Sequence, residues 1–252
     1  MSDANKERAL AILTPLAVLA IWQLLSTVGW TNQRYVPSPV SIAEAGWDLV
    51  VSGRLALDIG ASLRRLVVGY VLGAVPGVII GMIMGLNRWV RAAVDPLIAA
   101  LYPVPKIALL PLLMLAFGLG DGSKVAVVAM SVLFLTIINT TAGVVQLDRI
   151  YFDVARNYGT PWYKLFPRVI LPGALPTIFA GLRISMGVSL VVLVGAEFVA
   201  SDSGIGYLIW VSWQTLVIEN MFVGIIVITV LGVLSTLFLH ECERLLVPWR
   251  RD

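Results

Sequence analysis

Uninterrupted apolar runs recur along this sequence, and short polar segments separate them. A helix needs about 20 predominantly apolar residues to cross a bilayer, because each residue adds only about 1.5 Å of length. Six stretches fit this requirement: residues 9–28, 66–86, 94–118, 125–145, 173–200 and 221–239. The pattern therefore predicts an all-α integral membrane protein with six transmembrane helices.

The second apolar stretch carries a regular row of glycines. Gly69, Gly73, Gly77, Gly81 and Gly85 follow one another at intervals of four residues, so they lie along one face of a helix. Small residues at this spacing allow two helix backbones to approach closely. The row predicts a tight helix contact, either within one subunit, which is the simpler interpretation, or between two subunits.

Prolines interrupt the third stretch, and a lysine lies inside it. Backbone broken by residues such as Pro103 and Pro105 persists at membrane depth only against protein or beside a water-filled cavity. We therefore expect a translocation path here, lined by these prolines, Lys106 and Met114, together with Glu197 from the fifth stretch. The Lys106 ammonium could attract an anionic solute, or it could cap carbonyls that the prolines leave free.

The longest polar interruption in the second half of the chain has a helical pattern of its own. Apolar residues recur there at helical spacing, and Gly159 can take the left-handed conformation that ends such a helix. Thr160 and Pro161 then suit the N-cap and the first residue of a second short helix, which Pro167 and Pro172 are expected to end. The segment is either an ordinary connecting loop or a helical knuckle that another protein holds.

Composition supports the membrane class. The chain has 252 residues, of which 59% are hydrophobic and 13% charged, and its mean hydropathy is +0.91. A soluble domain of this length could not bury so much apolar surface. The net charge of +3 is explained by Lys and Arg held on the cytoplasmic side, and nucleic acid is not needed to explain it. These residues are concentrated in the segments that become cytoplasmic if both termini are inside.

The sequence offers little that could carry catalysis. It has no glycine-rich phosphate loop ending in Gly-Lys-Ser or Gly-Lys-Thr. His240 is the only histidine, which excludes a multi-histidine metal site, although it could join its acidic neighbours as a mixed ligand set. Cys242 is the only cysteine, so no intrachain disulfide can form. We expect no enzyme activity and no cofactor in this chain, so another chain would supply the energy for transport.

The polar segment 148–172 resembles the cytoplasmic signature of permease subunits of ATP-binding cassette importers. That signature is Glu-Ala-Ala, three residues, Gly, nine residues, and then Ile-x-Leu-Pro. The matching positions are Asp153, Val154 and Ala155 at its start, Gly159 at its glycine, and Val169, Leu171 and Pro172 at its end. Asp replaces Glu, and Val replaces one Ala and the Ile, so each difference keeps the charge sign or the apolar character.

Other motifs look like one subgroup of that family, which imports nitrate, sulfonates such as taurine, bicarbonate and related solutes. They include Arg65-x-Val-x-Gly-Tyr70, Gly195-Ala-Glu197 and Ser203-Gly-Ile-Gly206. The resemblance implies the type I importer permease fold in a bacterial inner membrane. Its cytoplasmic coupling-helix loop, including Thr160 and Pro161, would contact the ATPase.

The resemblance also implies partners. They are a second copy of the chain, two separate ATPase subunits that hold ATP and Mg, an extracytoplasmic solute-binding protein and membrane lipid. The implied division is a tail and first helix at 1–28, a periplasmic or interfacial segment at 29–65, and a core permease domain at 66–252. The coupling loop 148–172 lies within that core domain.

Two other classes of function stay open. An ATP-independent channel or secondary transporter would be favoured by an inverted repeat of spans, and none is evident. A membrane-embedded enzyme or assembly factor would need clustered His, Asp or Ser within the spans, which the sequence does not offer.

Overall fold

The apolar runs of this sequence fold into helices, and the computed structural model describes residues 3–30 and 32–249. Within these residues every regular element is helical, so the predicted all-α class is confirmed. The α-helices are α1 (Asp3–Thr27), α2 (Pro39–Val51), α3 (Arg54–Leu86), α4 (Arg88–Leu101), α5 (Leu110–Phe117), α6 (Asp121–Val145), α7 (Arg149–Asn157), α8 (Trp162–Leu165), α9 (Leu171–Ala200), α10 (Ile205–Gln214) and α11 (Ile218–Leu246). A 3₁₀ turn at Lys106–Leu109 precedes α5, and a π-helical turn at Phe166–Ile170 joins α8 to α9. The predicted first and core domains extend at 1–2 and 250–252 beyond the described residues.

Four helices in the described part of the chain are long and apolar enough to cross a membrane. These are α3, α6, α11 and the continuous helix Trp162–Ala200, which combines α8, the π turn and α9. α4 and the segment Lys106–Phe117 form a pair bent by 84°, which adds a fifth crossing if both halves belong to one span. The apolar part of α1, Leu13–Thr27, is shorter than these helices. The structure therefore supports four or five of the six predicted spans.

The glycine row of α3 faces α6 in the same subunit. A Cβ atom added at Gly77 would lie 2.8 Å from the Cβ of Thr136, and one at Gly69 would lie 2.7 Å from a methyl of Val128. The other three glycines of the row meet α6 at similarly short range, because the two backbones pack without side chains between them. The close approach is thus made within one subunit, as the simpler interpretation has it.

α9 completes a three-helix core with α3 and α6. One buried cluster joins these helices and also takes in a residue of α11. Its members are Leu66, Tyr70, Ala74, Val128, Val132, Met186, Leu190, Leu193 and Leu239. The core helices therefore bury apolar faces against one another, while their remaining faces carry many exposed large apolar side chains, as a lipid-facing surface requires.

α3 begins well before the predicted second span. It starts at Arg54, so the predicted limit between the segments 29–65 and 66–252 falls inside this helix. Arg64 and Arg65 stay in the helix because both pair with Asp121 at the start of α6. An apolarity pattern cannot find this start, since the charges that interrupt it are neutralised by a distant part of the chain.

The prolines after α8 do not end the helix, contrary to the sequence prediction. The chain stays helical through Pro167 and Pro172 into α9. A proline removes one backbone donor and crowds the carbonyl four residues earlier, and the wider π turn relieves both effects. The N–H of Leu171 then donates to the carbonyl five positions back, at Phe166. The predicted N-cap Thr160 is also wrong by one residue, because Pro161 occupies the N-cap.

Candidate functional site

The helical knuckle, residues 148–165, connects the end of α6 to the start of the π turn. α7 ends at Asn157, and Gly159, two residues further, has a φ of +62°. The N–H of Thr160 donates to the carbonyl of Ala155, and the N–H of Gly159 donates to the carbonyl of Arg156, each at 2.9 Å. These two bonds form the Schellman motif, which needs a left-handed residue at the glycine. The chain reversal between α7 and α8 is therefore fixed by backbone geometry.

One face of the knuckle rests on the transmembrane core. Ala155 is buried, and Phe152 packs against a cluster formed by Met82, Val144, Ile170, Ala174 and Ile178. Leu165 and Leu171 pack against the same cluster, and Pro172 is half-buried beside them. The knuckle is thus anchored on α3, α6 and the start of α9.

The opposite face of the knuckle is apolar, aromatic and exposed. Its large side chains are Ile150, Tyr151, Val154, Tyr158, Trp162 and Tyr163, which together we call the knuckle surface. Tyr158 is 84% exposed, and the acidic Asp153 lies beside these groups on α7. Several large apolar side chains exposed on one short segment are typical of a protein–protein contact. Of the predicted coupling residues, the structure buries Ala155, leaves Thr160 half-buried, and exposes Asp153, Val154, Gly159 and Pro161.

At the bend between α4 and α5, Lys106 acts as a cap. Its Nζ donates to the carbonyls of Leu101, Tyr102 and Val104, each at 2.8 Å. An ammonium has three N–H donors, so all of them are used. The Nζ also lies 4.7 Å from the ring centre of Phe134, within the range of a cation–π contact. The geometry favours the capping alternative over a free cation.

The other predicted path residues separate into two groups. Pro103 and Pro105 are exposed at the bend, whereas Met114 is half-buried against Leu110 and Val127. Glu197 is 0% exposed and lies at the far end of α9 from the knuckle. The structure therefore does not bring Glu197 to the same surface as the two prolines.

Glu197 belongs to a group that we call the ion cluster, which consists of the buried Asp58, Ser62, Arg65 and Glu197 and the partly exposed Asp121. The Nη1 of Arg65 lies 2.7 Å from Oε1 of Glu197, and its Nε lies 2.6 Å from Oδ1 of Asp121. Ser62 Oγ lies 2.8 Å from Oε1 of Glu197, and the N–H of Gly206 donates to Oε2 at 2.9 Å. Charged groups inside a membrane protein are expensive unless they are paired, and here Arg65 pairs with both Glu197 and Asp121. Asp58 does not pair with Arg65, because its ion pair among the described residues is with Arg54, at 4.0 Å.

Sequence reasoning missed most of the ion cluster. It names Arg65 and Glu197 as parts of separate motifs without predicting that they pair, and it does not single out Asp58, Ser62 or Asp121. Asp58, Ser62 and Arg65 are spaced four and three residues apart, which places them on one face at the start of a long apolar helix. That polar stripe was the available signal, but its partners on α6 and α9 could not be identified from spacing.

No metal site accompanies these groups. In the part of the chain that the structure describes, no three or more His, Cys, Asp or Glu side chains come together as ligands. The acidic neighbours of His240 are not gathered around it, and one of them, Glu243, pairs with Arg183 of α9. This pair ties the end of α11 to the core.

The comparison with known families agrees with the signature segment. Residues 77–251 match the family described as the binding-protein-dependent transport system inner membrane component. The chain therefore belongs to this family, the permeases of ATP-binding cassette transporters, as the resemblance predicts.

Individual relatives and one solved structure support this assignment. The chain is 40% identical over 235 residues to the putative aliphatic sulfonates transport permease protein SsuC of Escherichia coli, covering 93% of this chain and 89% of the relative. It is 31% identical to the taurine transport system permease protein TauC of the same organism, covering 98% and 92%. A chain of the MetNI methionine ABC transporter has the same fold, with a TM-score of 0.55 at 17% identity, covering 79% of this chain and 96% of that chain.

Proposed function

We propose that this chain is the transmembrane permease subunit of an ATP-driven importer for a small sulfonate-type anion. The observation that carries the proposal is the knuckle surface, an exposed aromatic patch on the segment that bears the family signature. The sulfonate class rests on the relatives, whose names specify aliphatic sulfonates and taurine. Nitrate and bicarbonate are the other solutes of the subgroup.

In this proposal the knuckle surface docks a separate ATPase subunit, which holds ATP and Mg. Apolar and aromatic side chains at the centre of an interface commonly carry most of the binding energy. Tyr158 and Trp162 are the most exposed aromatic residues of the patch. The fixed reversal at Gly159 and the buried Ala155 hold these side chains in place, so a push from the ATPase would reach the core helices.

Assembly follows from the same family. A second copy of the chain would complete the permease, α1 would supply the sixth span, and both termini would be cytoplasmic. An extracytoplasmic binding protein would deliver the solute to the side opposite the knuckle. The segment broken at Pro103 and Pro105 is the proposed wall of the path, with Lys106 and Met114 near it. Because its three donors are occupied, Lys106 would act on the solute only through its electrostatic field.

The test is uptake by reconstituted vesicles. The permease is expressed with its ATPase and purified as a complex, and vesicles containing it receive the binding protein and labelled ethanesulfonate. We expect accumulation that needs ATP on the knuckle side and that excess unlabelled taurine reduces. Uptake that needs no ATP would support the alternative of a channel or secondary transporter. ATP-dependent uptake that nitrate alone suppresses would overturn the sulfonate assignment.

A further inference from the structure

α10 begins without a cap of its own. Gly204 precedes it, and three successive N–H groups at this end donate to side chains of other helices. The N–H of Gly204 donates to Oδ1 of Asp58, that of Ile205 to Oγ of Ser62, each at 2.8 Å, and that of Gly206 to Oε2 of Glu197 at 2.9 Å. The first N–H groups of a helix have no partner within it, and carboxylates near this end are favoured by the helix dipole. α3 and α9 therefore cap α10.

Arg65 extends this cap to α6. Its guanidinium bonds Asp121 on α6 and Glu197 on α9, and it also donates to the backbone carbonyl of Ser203 at 2.7 Å. Arg65 is 2% exposed and Glu197 is fully buried, so solvent cannot replace a lost partner. One side chain thus joins α3, α6, α9 and the turn that precedes α10.

The turn also fits against Glu197 without spare room. A Cβ atom at Gly206 would lie 2.7 Å from the Cβ of Glu197, and one at Gly204 would collide with its carboxylate. The backbone of this turn therefore lies directly against the Glu197 side chain and the backbone of α9 at Val194.

The ion cluster and the knuckle lie at opposite ends of the same helices. α6 begins at Asp121 and reaches the cluster under the knuckle at Val144, and α9 runs from that cluster to Glu197. We propose that the ion cluster anchors α10 to the transmembrane core, so that α10 moves as one body with α6 and α9 when the knuckle is displaced. The movement of the knuckle in this inference rests on the proposed function, whereas the anchoring of α10 does not. Arg65, Ser62 and Glu197 are positioning residues in this scheme.

The anchor is tested on the purified permease alone by amide hydrogen exchange. Glu197→Gln removes the charge that receives the Gly206 N–H, and we expect exchange of the segment 204–206 to accelerate at least about tenfold. Ser62→Ala is the milder variant and should accelerate the same segment without leaving a buried charge unpaired. Glu219→Gln is the control, since Glu219 lies in the first turn of α11, which follows the end of α10 opposite to the segment 204–206. Unchanged exchange in both cluster variants would overturn the anchor.

The coupling is tested in the complex with ATPase and binding protein. With Ser62→Ala or Glu197→Gln we expect the ATPase to co-purify normally and to keep its basal turnover, while stimulation by loaded binding protein falls at least about threefold. Arg65→Lys keeps the charge and should retain part of the stimulation. Faster exchange with full stimulation would overturn the coupling and leave only the anchor. If the unmodified complex shows no ATP-dependent transport, the proposed function fails, while the exchange result still decides the anchor.

Discussion

Lys106 is held by backbone carbonyls and not by a carboxylate. The prolines after α4 leave those carbonyls without helical partners, and the lysine supplies the missing donors. The sequence showed both the prolines and the lysine but could not choose between a cap and a cation for the solute. The two roles differ in the direction of the Lys106 side chain, and residue spacing does not determine that direction.

A substitution at Lys106 should therefore affect stability first. Lys106→Met leaves three carbonyls without their donor, and we expect a loss of about 1–3 kcal/mol in unfolding free energy. Lys106→Arg keeps several donors and should lose less. Thermal unfolding of the purified permease in detergent measures both, with the exposed Lys164→Met as control. A Met variant that is fully stable but transports poorly would instead favour the electrostatic role in the path.

Gly159 is a second position where a single substitution tests the local structure. Its φ is +62° and a Cβ atom there would meet nothing within 4 Å, so a side chain would cost backbone strain and not a collision. Gly159→Val should lose about 1–2 kcal/mol and also reduce ATPase stimulation. Gly53→Val is a matched control, with φ of +73° and equally open space. Equal ATPase stimulation in the two variants would contradict a coupling role for the end of α7.

At the scale of elements, helix existence was predictable and helix ends were less so. Long apolar runs identified α3, α6, α9 and α11, because a helix of this length satisfies its own backbone groups within a membrane. The ends depended on particular contacts. Arg65 keeps the start of α3 helical through Asp121, and the π turn carries the helix past Pro167. An ion pair with a distant residue and a local change from α-helix to π-helix are both invisible in a pattern of apolar residues.

The contact between α3 and α6 gives a test at this scale. Gly77→Ala adds a methyl group 2.8 Å from the Thr136 Cβ, and overpacking of this kind costs about 1–3 kcal/mol. Gly60→Ala lies in the same helix with nothing within 4 Å, and it should be neutral or stabilising by up to about 1 kcal/mol. Melting of the two variants in detergent is the measurement. Equal melting temperatures would show that the glycine row tolerates side chains.

At the scale of the whole molecule, the knuckle and the ion cluster differ in how far the sequence indicated them. The signature segment 148–172 contains the knuckle and was evident from the sequence, since its motif is long and fixed in spacing. The ion cluster was not foreseen, because Asp58, Arg65, Asp121 and Glu197 come from three separate helices. Motifs within one segment can be read directly from the chain, whereas a site assembled from several helices needs their packing.

The knuckle surface gives a test of the assembly. Tyr158→Ser combined with Trp162→Ser removes its two most exposed aromatic groups, and each such anchor is commonly worth more than about 1 kcal/mol of binding free energy. We expect at least about tenfold weaker ATPase binding by the purified permease, with unchanged melting. Tyr35→Ser removes a similarly exposed aromatic residue from the segment before α2 and should bind the ATPase normally. Normal ATPase binding by the double variant would show that the ATPase docks on another surface of the permease.

The ion cluster also bears on how the protein is made. Arg65 belongs to an early helix, whereas Asp121, Glu197 and Ser203 are synthesised much later. While the chain is growing, the arginine has none of these partners, and an unpaired arginine within a membrane helix is costly. The first half of the chain therefore cannot reach its final arrangement before the ribosome has passed residue 203. A chain truncated before Asp121 would therefore leave Arg65 without any of these partners.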